Sequence, residues 1–165
     1  SDQPQHKKIL ELVAEKADWG GSLPKGVFRG IAVHKSFKTY AAQVVELSIE
    51  NDQINIHRVV CAVDCGTVVN PDIVKAQIEG GIIFALTAAL YGEISVKDGR
   101  IQQSNFHDYQ LLRINETPRI EVHILASNEA PSGIGEPGVP PLAPAVANAV
   151  FAATGKRLRS LPLKL

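Results

Sequence analysis

The sequence predicts an α+β domain: a mixed, largely antiparallel sheet with about three helices packed on it in two layers. Three observations carry that expectation. Apolar residues at helical spacing run from His6 to Trp19, two strand-like runs are joined by Asn51-Asp52-Gln53, and a capped helix opens at Asn70-Pro71-Asp72. The 165 residues fit one domain, 1–165, of a size that buries roughly 68–70% of its unfolded surface.

Taken in order, the first helix uses Ile9, Leu10, Leu12, Val13 and Ala17 as its inner stripe, and Gly20-Gly21 stops it. Leu23-Pro24-Lys25-Gly26 is a turn into a strand from Val27 to Val33. A second strand, Ala41 to Ile49, alternates through Val45, Leu47 and Ile49, and should pair with Ile54 to Val63 across the Asn51-Asp52-Gln53 turn. The helix from Pro71 to Ala89 has Asn70 as its cap and Pro71 at its first position. Its Gly80-Gly81 pair costs about 1 kcal/mol per glycine relative to alanine, so either a kink or a close approach should accompany it. A second hairpin runs from Tyr91 to Lys97, turns at Asp98-Gly99, and returns from Arg100 to Gln103. Arg119 to Leu125 is a further strand, and Pro141 to Ala153 is a final helix ended by Gly155.

Composition narrows the function. Apolar residues make up 45% of the chain and charged residues 21%, the balance of a globular domain. Lys+Arg and Asp+Glu are equal at 17 each, so no net field draws nucleic acid, and Lys156-Arg157-Leu158-Arg159 reads as the cationic end of the last helix. Cys61 and Cys65, on an extended strand, would be about 13 Å apart, beyond the roughly 7 Å a disulfide spans. They read as buried small hydrophobes. No run approaches the roughly 18 consecutive apolar residues of a membrane span, so no membrane insertion is expected of this segment. The opening Ser1-Asp2-Gln3-Pro4 is polar, unlike a signal peptide, and methionine is absent, which points to a piece of a longer protein with any targeting signal elsewhere.

One stretch stands out chemically. Gly133-Ile134-Gly135-Glu136-Pro137-Gly138-Val139-Pro140-Pro141 holds a single carboxylate in a run of glycines and prolines just ahead of a helix. Such a run is a shaped turn. Glu136 could serve as a general base, or be an ordinary acid near a helix N-terminus, and local sequence alone favours the second. His107-Asp108-Tyr109 could do acid–base work as a hydrolase would, but no activated Ser or Cys accompanies it, and a hydrogen-bonded loop is the preferred reading. His34, His57 and His123 show no metal-site spacing, and Asp64 reads as a turn tie.

Several motifs in one order carry a resemblance. Val59-Val60-Cys61-Ala62-Val63-Asp64-Cys65-Gly66, Val69-Asn70-Pro71-Asp72, Ala76-Gln77-Ile78-Glu79-Gly80-Gly81, Tyr91-Gly92-Glu93-Ile94, Gln103-Ser104-Asn105-Phe106, Glu121-Val122-His123 and the Gly135 to Pro162 run follow one another. Together they resemble the C-terminal part of molybdenum hydroxylase large subunits, the xanthine dehydrogenase and aldehyde oxidase family. The similarity is nearest to the isoquinoline 1-oxidoreductase beta-subunit type.

That resemblance implies a bacterial C-terminal molybdopterin-binding domain of a larger oxidoreductase subunit. It implies a molybdenum–pyranopterin cofactor in the full enzyme, in its cytosine dinucleotide form, with hydroxylation of N-heterocycles or oxidation of aldehydes by water-derived oxygen. Glu136 would be the catalytic base that takes a proton from a metal-bound hydroxyl. Gln77 would hydrogen-bond the pterin, and Gly80, Gly81 and Gly135 would let the backbone approach it. No residue of this chain is expected to ligate the metal. The region Ile82-Ile83-Phe84-Ala85 lacks the second glutamine that xanthine-oxidising relatives carry. Implied partners are the remaining domains of the large subunit, an iron–sulfur small subunit and a small-molecule substrate. The chain alone should be inactive. The competing expectation is a cofactor-binding or subunit-interaction module without chemistry of its own. Cytoplasm and periplasm are equally compatible with the resemblance.

Overall fold

The computed structural model describes residues 3–165; Ser1 and Asp2, where the polar opening begins, lie outside them. The chain runs α1 (Pro4–Lys16), β1 (Val27–Ser36), β2 (Thr39–Glu50), β3 (Gln53–Asp64), α2 (Pro71–Leu90), β4 (Val96–Lys97), β5 (Arg100–Ile101), a 3₁₀ turn at Ile114–Glu116, β6 (Arg119–Ile124) and α3 (Leu142–Thr154). The main sheet has the order β1-β2-β3-β6, with antiparallel neighbours except for the parallel β3–β6 pair. This is the expected α+β fold with a mixed sheet.

Local signals account for most elements. The Asn70 side chain accepts hydrogen bonds from the Asp72 and Ile73 amides at 3.0 and 3.2 Å, capping α2 behind Pro71. Asn51 and Asp52 both adopt positive φ, 52° and 61°, which gives the twisted two-residue turn that pairs Glu50 with Gln53. Gly155, at φ 73°, closes α3 by donating to the Phe151 carbonyl. The second hairpin is shorter than expected, two residues per strand. Beyond Val96 one backbone bond remains, from the Gln102 amide to the Ser95 carbonyl at 2.9 Å, the Ser95 amide donates to the side-chain Gln103 Oε1 at 2.8 Å, and Tyr91 is drawn away to donate to the Glu116 carboxylate.

The layering differs from the two layers anticipated. Alternation along β2 and β3 sends Ala42, Val44, Val60 and Ala62 to one face, where Ile9, Val13 and Ala17 of α1 cover them. The other set, Val45, Leu47, Val59, Cys61 and Val63, meets α2 and α3. Helices therefore cover both faces, because β2 and β3 are apolar on both sides in the stretches beneath them. By length and composition α2 could cross a bilayer, but Val74, Ile78, Ile82, Leu86 and Ala89 are buried in this second core, as a core helix would be.

Past the end of α1, the first face carries a row of charges across the sheet. Arg29 Nε lies 3.0 Å from Glu46, Arg58 Nη1 3.3 Å from the same carboxylate, and Arg58 Nε 2.8 Å from Glu121, which also takes Arg119 at 3.1 Å. Arg29 and Arg58 also donate to the carbonyls of Asp18 and Lys16, closing the C-terminal end of α1. The Glu121 carboxylate raises the Arg58 pKa, and Arg58 in turn holds the Glu121 carboxyl below its ordinary value. Glu46→Ala leaves two half-buried guanidinium groups short of a partner and is expected to destabilise the domain by about 1–3 kcal/mol. The urea midpoint of the 165-residue chain measures it.

Candidate active site

Glu136 lies on the long loop between β6 and α3, and its backbone is tied on both sides. Upstream, the Thr67 amide donates to the Glu129 carbonyl at 2.8 Å, the Ser132 amide to Cys65 at 2.9 Å, and the Gly133 amide to Phe37 at 3.1 Å. Buried Thr39 adds a hydroxyl contact to Ser132 at 2.6 Å. Downstream, Gln43 Nε2 donates to the Gly138 carbonyl at 2.7 Å, and the Val139 amide turns back onto the Glu136 carbonyl at 2.9 Å. Pro137 and Gly138 are buried, whereas Gly135 and Glu136 are exposed. Among the described residues nothing hydrogen-bonds the Glu136 carboxylate, so the backbone alone sets its position.

The loop seats directly on the middle of α2. A Cβ on Gly138 would lie 3.0 Å from the Ile78 carbonyl oxygen, a crowded approach that would push the two backbones apart by a few tenths of an ångström, so glycine favours their close packing. A Cβ on Gly81 would sit 3.5 Å from Val139 Cγ2 and 3.6 Å from Gly138 Cα. The middle of α2, at Ile78 and Gly81, and the Gly138–Val139 end of the loop thus touch, with Gln77 and Gly80 on the same turns of the helix and Gly135 and Glu136 just upstream in the loop. The two glycines divide the work: Gly81 faces the loop, while Gly80 faces open space with no atom within 4 Å of an added Cβ. Gln77 is exposed one turn earlier, and the same outer face continues through Ile73 and Phe84, both largely exposed apolar side chains. A bare carboxylate, an amide and a glycine gap on an apolar, open surface fit a group lying across α2 and completed by other polypeptide.

The remaining candidates take structural roles. Asp108 accepts from the Ser104 and Asn105 amides, each at 2.9 Å, and from the Ser104 hydroxyl at 3.0 Å, closing the loop as expected; exposed His107 stands 3.5 Å away. The Asn105 and Ser104 amides favour the charged form and pull the Asp108 pKa down to about 2. Because the folded value is depressed, this tie is complete above the ordinary 3.8 and is lost as pH falls through about 2. An NMR titration of the Ser104 and Asn105 amides should show the lower midpoint. Asp64 accepts from the Gly66 amide at 3.2 Å, a turn tie. His57 pairs with Ser48, and among the described residues no three of His, Cys, Asp and Glu converge as metal ligands. Cys61 and Cys65 are free and buried, and burial pushes the Cys61 thiol up to about 12.

Sequence reasoning missed Gln43, Thr39 and Ser132, which hold the loop. Gln43 had a signal: it interrupts the inward apolar series of β2 at the position before Val45 and Leu47, and it is fully buried. Among the described residues its Oε1 has no hydrogen-bond partner.

Residues 18–118 match the molybdopterin cofactor-binding domain family, and the chain belongs to it. Within the molybdenum hydroxylases, it is 39% identical over 98% of its length to isoquinoline 1-oxidoreductase subunit beta of Brevundimonas diminuta, covering 21% of that protein. It is 34% identical over 94% of its length to the membrane-bound aldehyde dehydrogenase [pyrroloquinoline-quinone] of Gluconacetobacter polyoxogenes, again covering 21%. Quinoline 2-oxidoreductase from Pseudomonas putida 86 superposes with a TM-score of 0.67 at 26% identity, over 71% of this chain and 16% of that one. The chain spans about a fifth of the length of the curated relatives it matches.

Proposed function

We propose that this domain supplies the general base of a molybdenum hydroxylase, with Glu136 as the catalytic residue and the outer face of α2 as part of the pterin seat. The observation that carries the reading is an exposed carboxylate on a loop clamped at both ends and laid, through Gly138 and Val139, against Ile78 and Gly81 of the helix that also bears Gln77 and Gly80. A base must be held within about 2.6–3.2 Å of the proton it removes, and a backbone-fixed turn achieves this without side-chain partners. When bound, the cofactor supplies the two-electron acceptor and carries the metal on its own organic ligand.

In this reading Glu136 would take the proton from a water-derived oxygen that bonds to an electron-poor carbon, while that carbon's hydrogen would leave with its electron pair to the two-electron acceptor. Gln77 offers amide donors and an acceptor to the pterin edge, Gly80 and Gly135 leave room for its approach, and Gly138 lets the base loop pack closely on the helix beside Gly81. Other domains of the subunit cover Ile73 and Phe84 and exclude water from the site. The substrate is an N-heterocycle, by similarity to the isoquinoline and quinoline relatives, or an aldehyde, by similarity to the Gluconacetobacter relative. The cytosine dinucleotide form of the cofactor and an iron–sulfur subunit as electron acceptor complete the proposal, and the chain sits at the C-terminal end of its subunit. In the assembled enzyme, Gln77→Ala is expected to weaken cofactor retention about three- to tenfold, measured as pterin and molybdenum per subunit. Full retention would remove Gln77 from the seat, and turnover by the 165-residue chain alone would contradict the shared-site reading.

A further inference from the structure

We infer that Gln43 is a positioning residue for Glu136: its buried amide grips the Gly138 carbonyl and so fixes the turn that aims the base. The inference rests on the reading of Glu136 as base. Gln43 stands in the middle of β2, fully buried, on the sheet face that otherwise presents Val45, Leu47, Cys61 and Val63 to α2 and α3. An apolar side chain would suit that face, and among the described residues the amide's only close partner is the Gly138 carbonyl, its Oε1 having none. Its Nε2 makes one strong contact, 2.7 Å to Gly138, with Cys61 Sγ a distant 3.9 Å away.

Gly138 has no slack in the opposite direction. An added Cβ there would meet the Ile78 carbonyl oxygen at 3.0 Å and Ile78 Cα at 3.4 Å, so the residue is pinned between β2 and α2. Two links carry this fixed point to Glu136. Pro137 restricts the intervening φ, and the Val139 amide closes the turn on the Glu136 carbonyl at 2.9 Å. Because the Glu136 carboxylate has no hydrogen-bond partner among the described residues, releasing Gly138 releases its aim.

The test is Gln43→Met in the complete, cofactor-loaded enzyme: similar volume, no donor. Expected are a kcat about ten- to a hundredfold lower, KM within about twofold, unchanged molybdenum content, and faster deuterium uptake in a peptide spanning residues 134–142. A wild-type kcat at full molybdenum content, or a raised KM with kcat unchanged, would overturn the assignment. Should Gln43→Met fail to accumulate, Gly138→Ala presses the same turn from the α2 side and is read identically; a wild-type kcat there overturns it too. Glu136→Gln run in parallel separates the two claims. Retained turnover in that variant defeats the base reading, whereas a dead Glu136→Gln beside a fully active Gln43→Met defeats only the positioning role.

Discussion

Glu136→Gln in the complete enzyme is expected to lower kcat by about 10²- to 10⁴-fold with molybdenum content retained, the range a positioned general base contributes. The substitution keeps the side chain's length and removes only its capacity to take a proton. Structure should survive it, because the turn is held by groups other than the carboxylate: the Gly133 amide on Phe37, the Gln43 side chain on the Gly138 carbonyl, and the Val139 amide on the Glu136 carbonyl. The exposed carboxylate contributes no packing in this chain. Lost cofactor or lost assembly would instead favour a binding module without chemistry of its own. The measurement is steady-state turnover normalised to molybdenum, with the wild type prepared alongside.

Gly30→Ala is expected to cost about 3 kcal/mol or more, near the top of the overpacking range. Gly30 lies in the middle of β1, where α3 crosses the sheet. A Cβ there would come within 2.1 Å of the Ala145 carbonyl oxygen and 2.3 Å of the Ala149 amide nitrogen. Both are backbone atoms of a helix, so no rotamer change relieves the clash and α3 must lift. Lifting it opens the packing of Leu142, Ala145, Val146, Ala149 and Val150 and strains the Asn148 hydrogen bond to the Ile31 carbonyl at 2.9 Å. The Glu136 loop runs straight into α3, so activity should fall with stability. The urea midpoint of the 165-residue chain reads the effect; a change below about 0.5 kcal/mol, the size of an ordinary surface substitution, would mean that α3 does not press on Gly30 as described.

Elements set by neighbouring residues were legible in the sequence. Asn70-Pro71 announced α2, Asn51-Asp52 announced the β2–β3 turn, and Gly155 announced the end of α3. The β1–β2 turn was hidden because Phe37 and Lys38 occupy positive φ, 52° and 66°, where Asn or Gly would have signalled it. Helix coverage of both sheet faces was hidden as well, because alternation identifies two faces without saying which helix covers each. The parallel β3–β6 pairing had no local mark at all.

For the site, the glycine–proline run made Glu136 a visible candidate, but what holds it was out of reach. Gln43 meets Gly138 across 95 residues and Thr39 meets Ser132 across 93, contacts that only the folded sheet brings about. The same fold divides the glycine pair of α2, turning Gly81 to the loop and Gly80 outward, a distinction that spacing along the sequence could not draw.

The most direct test is the rate at which substrate reduces the bound cofactor in Glu136→Gln, followed by anaerobic rapid mixing at matched molybdenum content. The expected result is reduction slowed by about 10²-fold or more while substrate still binds. Reduction at the wild-type rate would show that proton removal at Glu136 is not part of the chemistry, and would contradict the account.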